Sequence, residues 1–218
     1  VSFKLPLTMC LNRARAYWRP NTVPRNPQLP SSTLYKCLVE VTERITSLAG
    51  RTEPLRVDDS GMGRLRTVNA PTQRKAVAAG YSFTSGPRST CLAIWDYIWR
   101  QSDLMEVRNQ ALYFYQHKTL TRPEVTRIRA WMDRCSCWEH CDDLAKIYAD
   151  VVEQRPDWVV PTLKRWNRSR NPWKRRQSVV ALVEYASKRR RFLSFGTMIA
   201  QVESLLDDED YYVQKGLG

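Results

Sequence analysis

Histidine is almost absent from this 218-residue chain: His117 and His140 are the whole complement. Neither stands in a serine or cysteine arrangement of nucleophile, base and orienter, so a triad hydrolase has no support. Cysteine is scarce as well. Cys10, Cys37, Cys91, Cys135, Cys137 and Cys141 are too few and too scattered for a disulfide framework in a chain of this length, which points to free thiols in a reducing compartment. Three of them bunch with His140 at Cys135, Cys137 and Cys141. Structural zinc needs a second ligand pair at a distance, and none follows, so no metal and no cofactor is expected. No apolar run reaches the roughly 18–20 residues that span a bilayer. No signal-peptide pattern opens the chain. A membrane partner is therefore not expected.

Acidic residues are nearly missing from one long stretch. Lys and Arg number 35 against 22 Asp and Glu, for a net charge of +13 and a pI near 9.7. Between Val160 and Arg191 stand eleven bases, among them Lys164, Arg165, Arg168, Arg170, Lys174, Arg175 and Arg176, against the single acid Glu184. Acids gather instead at Asp207, Asp208, Glu209 and Asp210. Basic charge concentrated in this way favours a polyanionic partner such as nucleic acid over a merely soluble basic surface. A hydrophobic content of 43% with eight tryptophans argues for a folded chain with large packing anchors. At this length one domain with a substantial core is expected rather than two.

Residues 1–33 are rich in Pro and basic, with Pro6, Pro20, Pro24, Pro27 and Pro30 against any long helix, and they read as an arm. A helix follows over about Ser32–Ala49, where Leu34, Cys37, Leu38, Val41, Ile45 and Leu48 form a stripe at helical spacing. Residues 50–70 read as an irregular connector. Strand-like alternation is missing from Pro71 onward, and the pattern predicts helices over 72–81, 87–101, 103–118, 122–134, 138–154, 157–168, 172–187 and 190–206, with another starting near 208. Breakers fall between them, at Ser85-Gly86-Pro87, Thr121-Arg122-Pro123, Arg155-Pro156 and Asn171-Pro172. Proline in a first turn is tolerated because its missing N–H has no partner there.

These helices pair at a step of about 35 residues, the spacing of Trp138 and Trp173. Two helices per unit at such a period indicate an all-α, HEAT-like α-solenoid of stacked antiparallel helix pairs, covering residues 34–218 as one repeat domain. Solenoids present a concave face, here expected to be basic. Trp138, Asp142, Trp173 and Arg176 occupy comparable starts of second helices and are placed on it.

Trp138 and Asp142 are four apart, so ring and carboxylate share a helix face. The plain alternative is a core Trp beside a solvated acid. Trp173, Lys174, Arg175 and Arg176 open a later helix, where side-chain forks and backbone N–H groups converge on an anion. The plain alternative there is a solvated basic face with Trp173 in the core. Trp95, Trp99, Glu106, Ala111 and Leu112 fit interhelical packing and are assigned to the core.

Taken in order, several runs resemble the DNA alkylation repair proteins of the AlkD type. They are Trp99 with Glu106-Val-Arg and Ala111-Leu112; Cys137-Trp-Glu-His-Cys-Asp142; Trp166 with Ser169-Arg-Asn171-Pro-Trp-Lys-Arg-Arg176; and Asp210-Tyr-Tyr-Val-Gln-Lys-Gly-Leu-Gly218. The likeness covers roughly residues 87–218, with Ala70-Pro-Thr-Gln-Arg74 a further element that resembles the family nearer its start. It implies a HEAT-like glycosylase that excises N3- and N7-alkylated purines from duplex DNA without flipping the base into a pocket. It also implies Asp142 and Trp138 as the catalytic pair, and Arg176 as the contact to phosphate. Arg175, Trp173, Lys174, Lys164 and Arg165 would complete the DNA-binding set. The family's second catalytic Trp directly follows the Gln-Lys-x-x-Gly segment, so truncation after Gly218 is expected. The likeness further implies a monomer located with the DNA, cytoplasmic and nucleoid-associated or nuclear. Two other functions fit the same features: a non-catalytic helical-repeat protein for damaged or branched DNA, and a HEAT-like protein-interaction scaffold.

Overall fold

The structure is a computed structural model that describes residues 29–49, 56–58, 60–187 and 193–218. It is all-α with HEAT-like stacking of helices, and its only sheet among the described residues is a two-stranded hairpin. The chain falls into two compact units, one ending at Phe114 and the other running Tyr115–Gly218. The expected N-terminal arm lies outside the described residues as far as residue 28.

In the first unit, α1 (Ser31–Ser47) buries Cys37, Leu38, Val41 and Ile45, the middle of the expected stripe. Leu48 lies past the helix end and is exposed. The connector is not wholly irregular. Strands β1 (Arg56–Val57) and β2 (Gly63–Arg64) pair antiparallel, and the Asp58 carboxylate between them accepts from Ser60 N, Met62 N and Arg64 Nε. Two residues per strand are too few to show a period of two in the sequence. The next helix, α2 (Ala70–Ala78), starts earlier than expected because the Asn69 side chain accepts from Thr72 N and caps it, with Pro71 in the first turn.

Helices α3 (Arg88–Gln101) and α4 (Met105–Tyr115) carry the large core anchors. Trp95, Trp99, Ala111 and Leu112 are completely buried, and Glu106 is buried with them, as their spacing predicted. Tyr81, Phe83 and Phe114 surround Trp95 with ring centroids at 5.6, 4.9 and 5.4 Å. A buried amide network runs beside them: Tyr81 Oη donates to Gln110 Oε1 at 2.8 Å, and Asn109 Nδ2 donates to Gln73 Oε1 at 2.9 Å. Buried polar groups need such partners, since an unpaired one costs about 1–3 kcal/mol.

In the second unit, Glu124 accepts from Thr121 N and Oγ1 to start α5 (Arg122–Ala130). The expected continuation to 134 is a separate 3₁₀ turn, Trp131–Arg134. Then come α6 (Trp138–Gln154), α7 (Pro156–Trp166) and α8 (Pro172–Ser187). Helix α9 (Phe195–Glu203) follows, capped by the Ser194 side chain, and α10 (Tyr211–Leu217) is capped by Asp210, which accepts from Tyr212 N and Val213 N. The helix expected over 190–206 is thus shorter, and its predicted first residues lie outside the described ones. Within this unit α8 packs most extensively on α6, and also on α10 and α7. Among the described residues, no helix is long and apolar enough to cross a membrane.

Candidate functional site

Helix α6 begins at Trp138 and α8 at Pro172, so the two tryptophans do open comparable helices. Cys137 is extended and lends no side-chain cap to α6. The inward face of α6, with Cys141, Leu144, Ala145 and Tyr148, is buried. Trp138 falls outside that stripe and is 48% exposed. Asp142, one turn later on the same face, is half-buried at its border. A Trp held at a helix start with half its surface in water is available to a ligand in a way the core tryptophans are not.

Helix α8 brings a guanidinium to this acid. Asn171 Oδ1 accepts from Trp173 N at 2.9 Å and starts the helix, which sets Arg176 one turn in, facing α6. Arg176 is buried. Its Nη2 donates to Asp142 Oδ1 at 2.8 Å and its Nη1 to the carbonyl oxygen of Tyr212 at 2.7 Å. The side chains of the pair are 7% and 30% exposed, so the carboxylate faces solvent more than the arginine does. No other hydrogen-bond partner of Asp142 is found among the described residues.

The remaining residues of the expected site divide. Trp173 is half-buried and its ring lies 5.0 Å from that of Tyr212, which meets Tyr211 edge-on at 5.2 Å. Lys215 lies over the Tyr211 ring at 5.7 Å. Lys174 pairs with Asp133 at 2.7 Å. Arg175 forks onto Asp208, Nε to Oδ2 at 2.5 Å and Nη2 to Oδ1 at 3.0 Å. The same contact pushes the Asp208 carboxyl below its usual range and the Arg175 guanidinium above its own. Lys164 and Arg165 are exposed on α7 and make no ion pair among the described residues. The structure therefore joins Asp142 to Arg176, places Trp138 and Trp173 at the starts of their helices, ties Lys174 and Arg175 to acids, and leaves Lys164 and Arg165 in solvent.

Sequence reasoning missed Tyr211 and Tyr212, whose rings extend the aromatic surface from Trp173, and it missed the acids that hold the α8 bases. Tyr212 lies 36 residues from Arg176, and nothing local announces that contact. Among the described residues, no group of three or more His, Cys, Asp or Glu side chains is placed to hold a metal ion.

Residues 62–218 match the family described as DNA alkylation repair enzyme. The chain belongs to that family. The match reaches further upstream than the motif resemblance and takes in Ala70–Arg74 and β2. Comparison with curated proteins and with solved structures returns no match. Membership in this DNA repair family makes DNA the general partner, and the site of the second unit falls wholly within the matched residues.

Proposed function

We propose that this member of the DNA alkylation repair family is a monofunctional glycosylase that hydrolyses the N-glycosidic bond of N3- and N7-alkylated purines in duplex DNA. The observation that carries the reading is the part-exposed Asp142 carboxylate, one helical turn from an exposed Trp138 and held from behind by Arg176. An alkylated purine is cationic. Its C1′–N bond breaks with the electron pair leaving on the base, which becomes neutral, while positive charge develops on the deoxyribose. A fixed carboxylate beside that sugar stabilises the developing cation. Water adds to C1′ and gives up its proton to Asp142 or to solvent. The Trp138 face against the deoxyribose adds a cation–π contribution of about 0.5–2 kcal/mol.

Bases on α7 and at the start of α8 supply the attraction to phosphate. Lys164 and Arg165 are available as they stand, whereas Lys174 and Arg175 would exchange Asp133 and Asp208 for phosphate oxygens. Trp173, half-buried beside Tyr212, would complete the DNA-binding set. The working form is a monomer, located with the DNA of its cell.

The test is single-turnover release of 7-methylguanine from a duplex, with Asp142→Asn alongside. The amide keeps the shape and removes the charge, so release is expected to fall by about 10²–10³-fold, the range for loss of one preorganised electrostatic group. DNA affinity is expected to change little. Release that survives the substitution would remove Asp142 from the mechanism. No release by the unsubstituted protein, with tight salt-sensitive binding, would make it a DNA-binding member of the family without this chemistry.

A further inference from the structure

We propose that Lys146 on α6 is a further contact to the DNA backbone beside Asp142, and that it reaches a phosphate by leaving Asp143. The closeness of this contact to the reacting sugar rests on the glycosylase reading; its placement rests on the structure. Helix α6 carries five acids, Glu139, Asp142, Asp143, Asp150 and Glu153, and Lys146 is its one Lys or Arg. Charge density along the chain therefore directs attention to α7 and α8 and passes this base over. The direction of the side chains does not. At 3.6 residues per turn, Trp138, Asp142 and Lys146 fall within an arc of about 80° on α6. Lys146 stands one turn beyond Asp142, about 6 Å along the helix axis, and its side chain is 30% exposed. A flexible four-carbon stem lets its ammonium serve a phosphate next to a sugar that Asp142 faces.

A second observation concerns the acids around this lysine, each of which has another partner. Asp142 Oδ1 accepts from Arg176 Nη2 at 2.8 Å. Asp150 Oδ2 lies 3.5 Å from His117 Nδ1. Asp143 Oδ1 accepts from Lys146 Nζ at 2.8 Å and also from Gln116 Nε2 at 3.1 Å. The Gln116 amide reaches the Asp143 carbonyl oxygen as well, at 3.3 Å, which anchors it there whether or not Lys146 is present. Asp143 is buried, and when the ammonium departs its carboxylate still has a donor. The ammonium for its part exchanges one anionic oxygen for another. Such an exchange costs little for a part-exposed ion pair, whereas a base buried on its only partner would leave a charge stranded. An ammonium is a point charge with three rotatable donors, so the contact holds the backbone and reads no base.

The first test is binding of an undamaged duplex by the whole protein across a salt series. Lys146→Gln should lower the slope of log affinity against log salt by about 0.9, the share of one phosphate, and Lys146→Arg should keep it. An unchanged slope in Lys146→Gln would overturn the proposal. Urea unfolding of the same variant should give a midpoint close to that of the unsubstituted protein. A lowered midpoint with an unchanged slope would make Lys146 a structural tie for Asp143 and nothing more. The exchange itself is tested by Asp143→Asn, which releases the lysine and should tighten binding at low salt. That gain should vanish when Lys146→Gln is added; an equal gain in both backgrounds would overturn the exchange. In single-turnover release of 7-methylguanine, Lys146→Gln should raise the half-saturating concentration and leave the plateau rate unchanged. Absence of release by the unsubstituted protein would sink the glycosylase reading alone, because the salt slope still decides whether Lys146 meets a phosphate.

Discussion

Tryptophan has opposite fates in two regions of this molecule. On α3, Trp95 and Trp99 are four apart, completely buried, and Trp95 is ringed by Tyr81, Phe83 and Phe114. At the start of α6, Trp138 also has its companion four residues on, but the companion is an acid and the tryptophan is 48% exposed. The difference lies in what shares the face. Four-residue spacing brings two side chains together whatever they are; two apolar ones are drawn inside, and a ring with a carboxylate is kept at the border. The first region commits its tryptophans to the core and the second leaves one exposed to solvent.

Substitutions at the two places should separate those uses. Trp99→Ala is expected to have the largest effect, a loss of about 3–5 kcal/mol in urea unfolding, because a large cavity replaces a ring with no exposed surface. A loss below about 1 kcal/mol would erase the contrast. Trp138→Ala should do the reverse. Stability is expected to move by less than about 1 kcal/mol, while single-turnover base release slows about tenfold, as loss of a cation–π contact implies. A Trp138 variant that unfolds like the Trp99 variant would return Trp138 to the core.

A smaller effect sharpens the account of the second region. Asp208→Asn is expected to cost about 1 kcal/mol, the scale of a partly solvated ion pair. Its pH dependence has a definite sign. Arg175 lowers the folded-state pKa of Asp208, so the stabilisation is present above the unfolded carboxyl value near 3.9 and is lost as pH falls through the lowered one. The difference in stability between wild type and Asp208→Asn should therefore shrink on acidification below about pH 4. If Asp208 is only a local tie, the same substitution should leave Asp142-dependent release intact and free Arg175 for phosphate, which would raise DNA affinity at low salt.

Much of this was legible from local rules. Helices over 88–101, 138–154 and 172–187 stand close to where periodicity and prolines put them, because amphipathic stripes and first-turn prolines act within a few residues. The core role of Trp95 and Trp99 followed from the same spacing. Helix ends were harder to place. The 3₁₀ turn at Trp131–Arg134 and the shortened α9 depend on how the chain packs and turns, and the hairpin at Arg56–Arg64 is too short to leave a pattern. The starts of α6 at Trp138 and of α8 at Pro172 were also readable, since a first-turn proline and the onset of an apolar stripe are local signals.

The sequence alone thus determined the helical class, the order of the helices and the acid–aromatic pair at the start of α6. Their determinants are local, and a run of neighbouring side chains suffices to express them. Only the tertiary structure decided what the bases beside that pair do. Arg175 and Arg176 are adjacent and alike as letters, yet one forks onto Asp208 and the other is buried against Asp142 and the Tyr212 carbonyl. Those partners lie 33 to 36 residues away along the chain, so the choice is made by the packing of α8 against α6 and α10. Charge is a property of the residue; whether it is spent on a phosphate or on a neighbouring carboxylate depends on what the fold brings within reach.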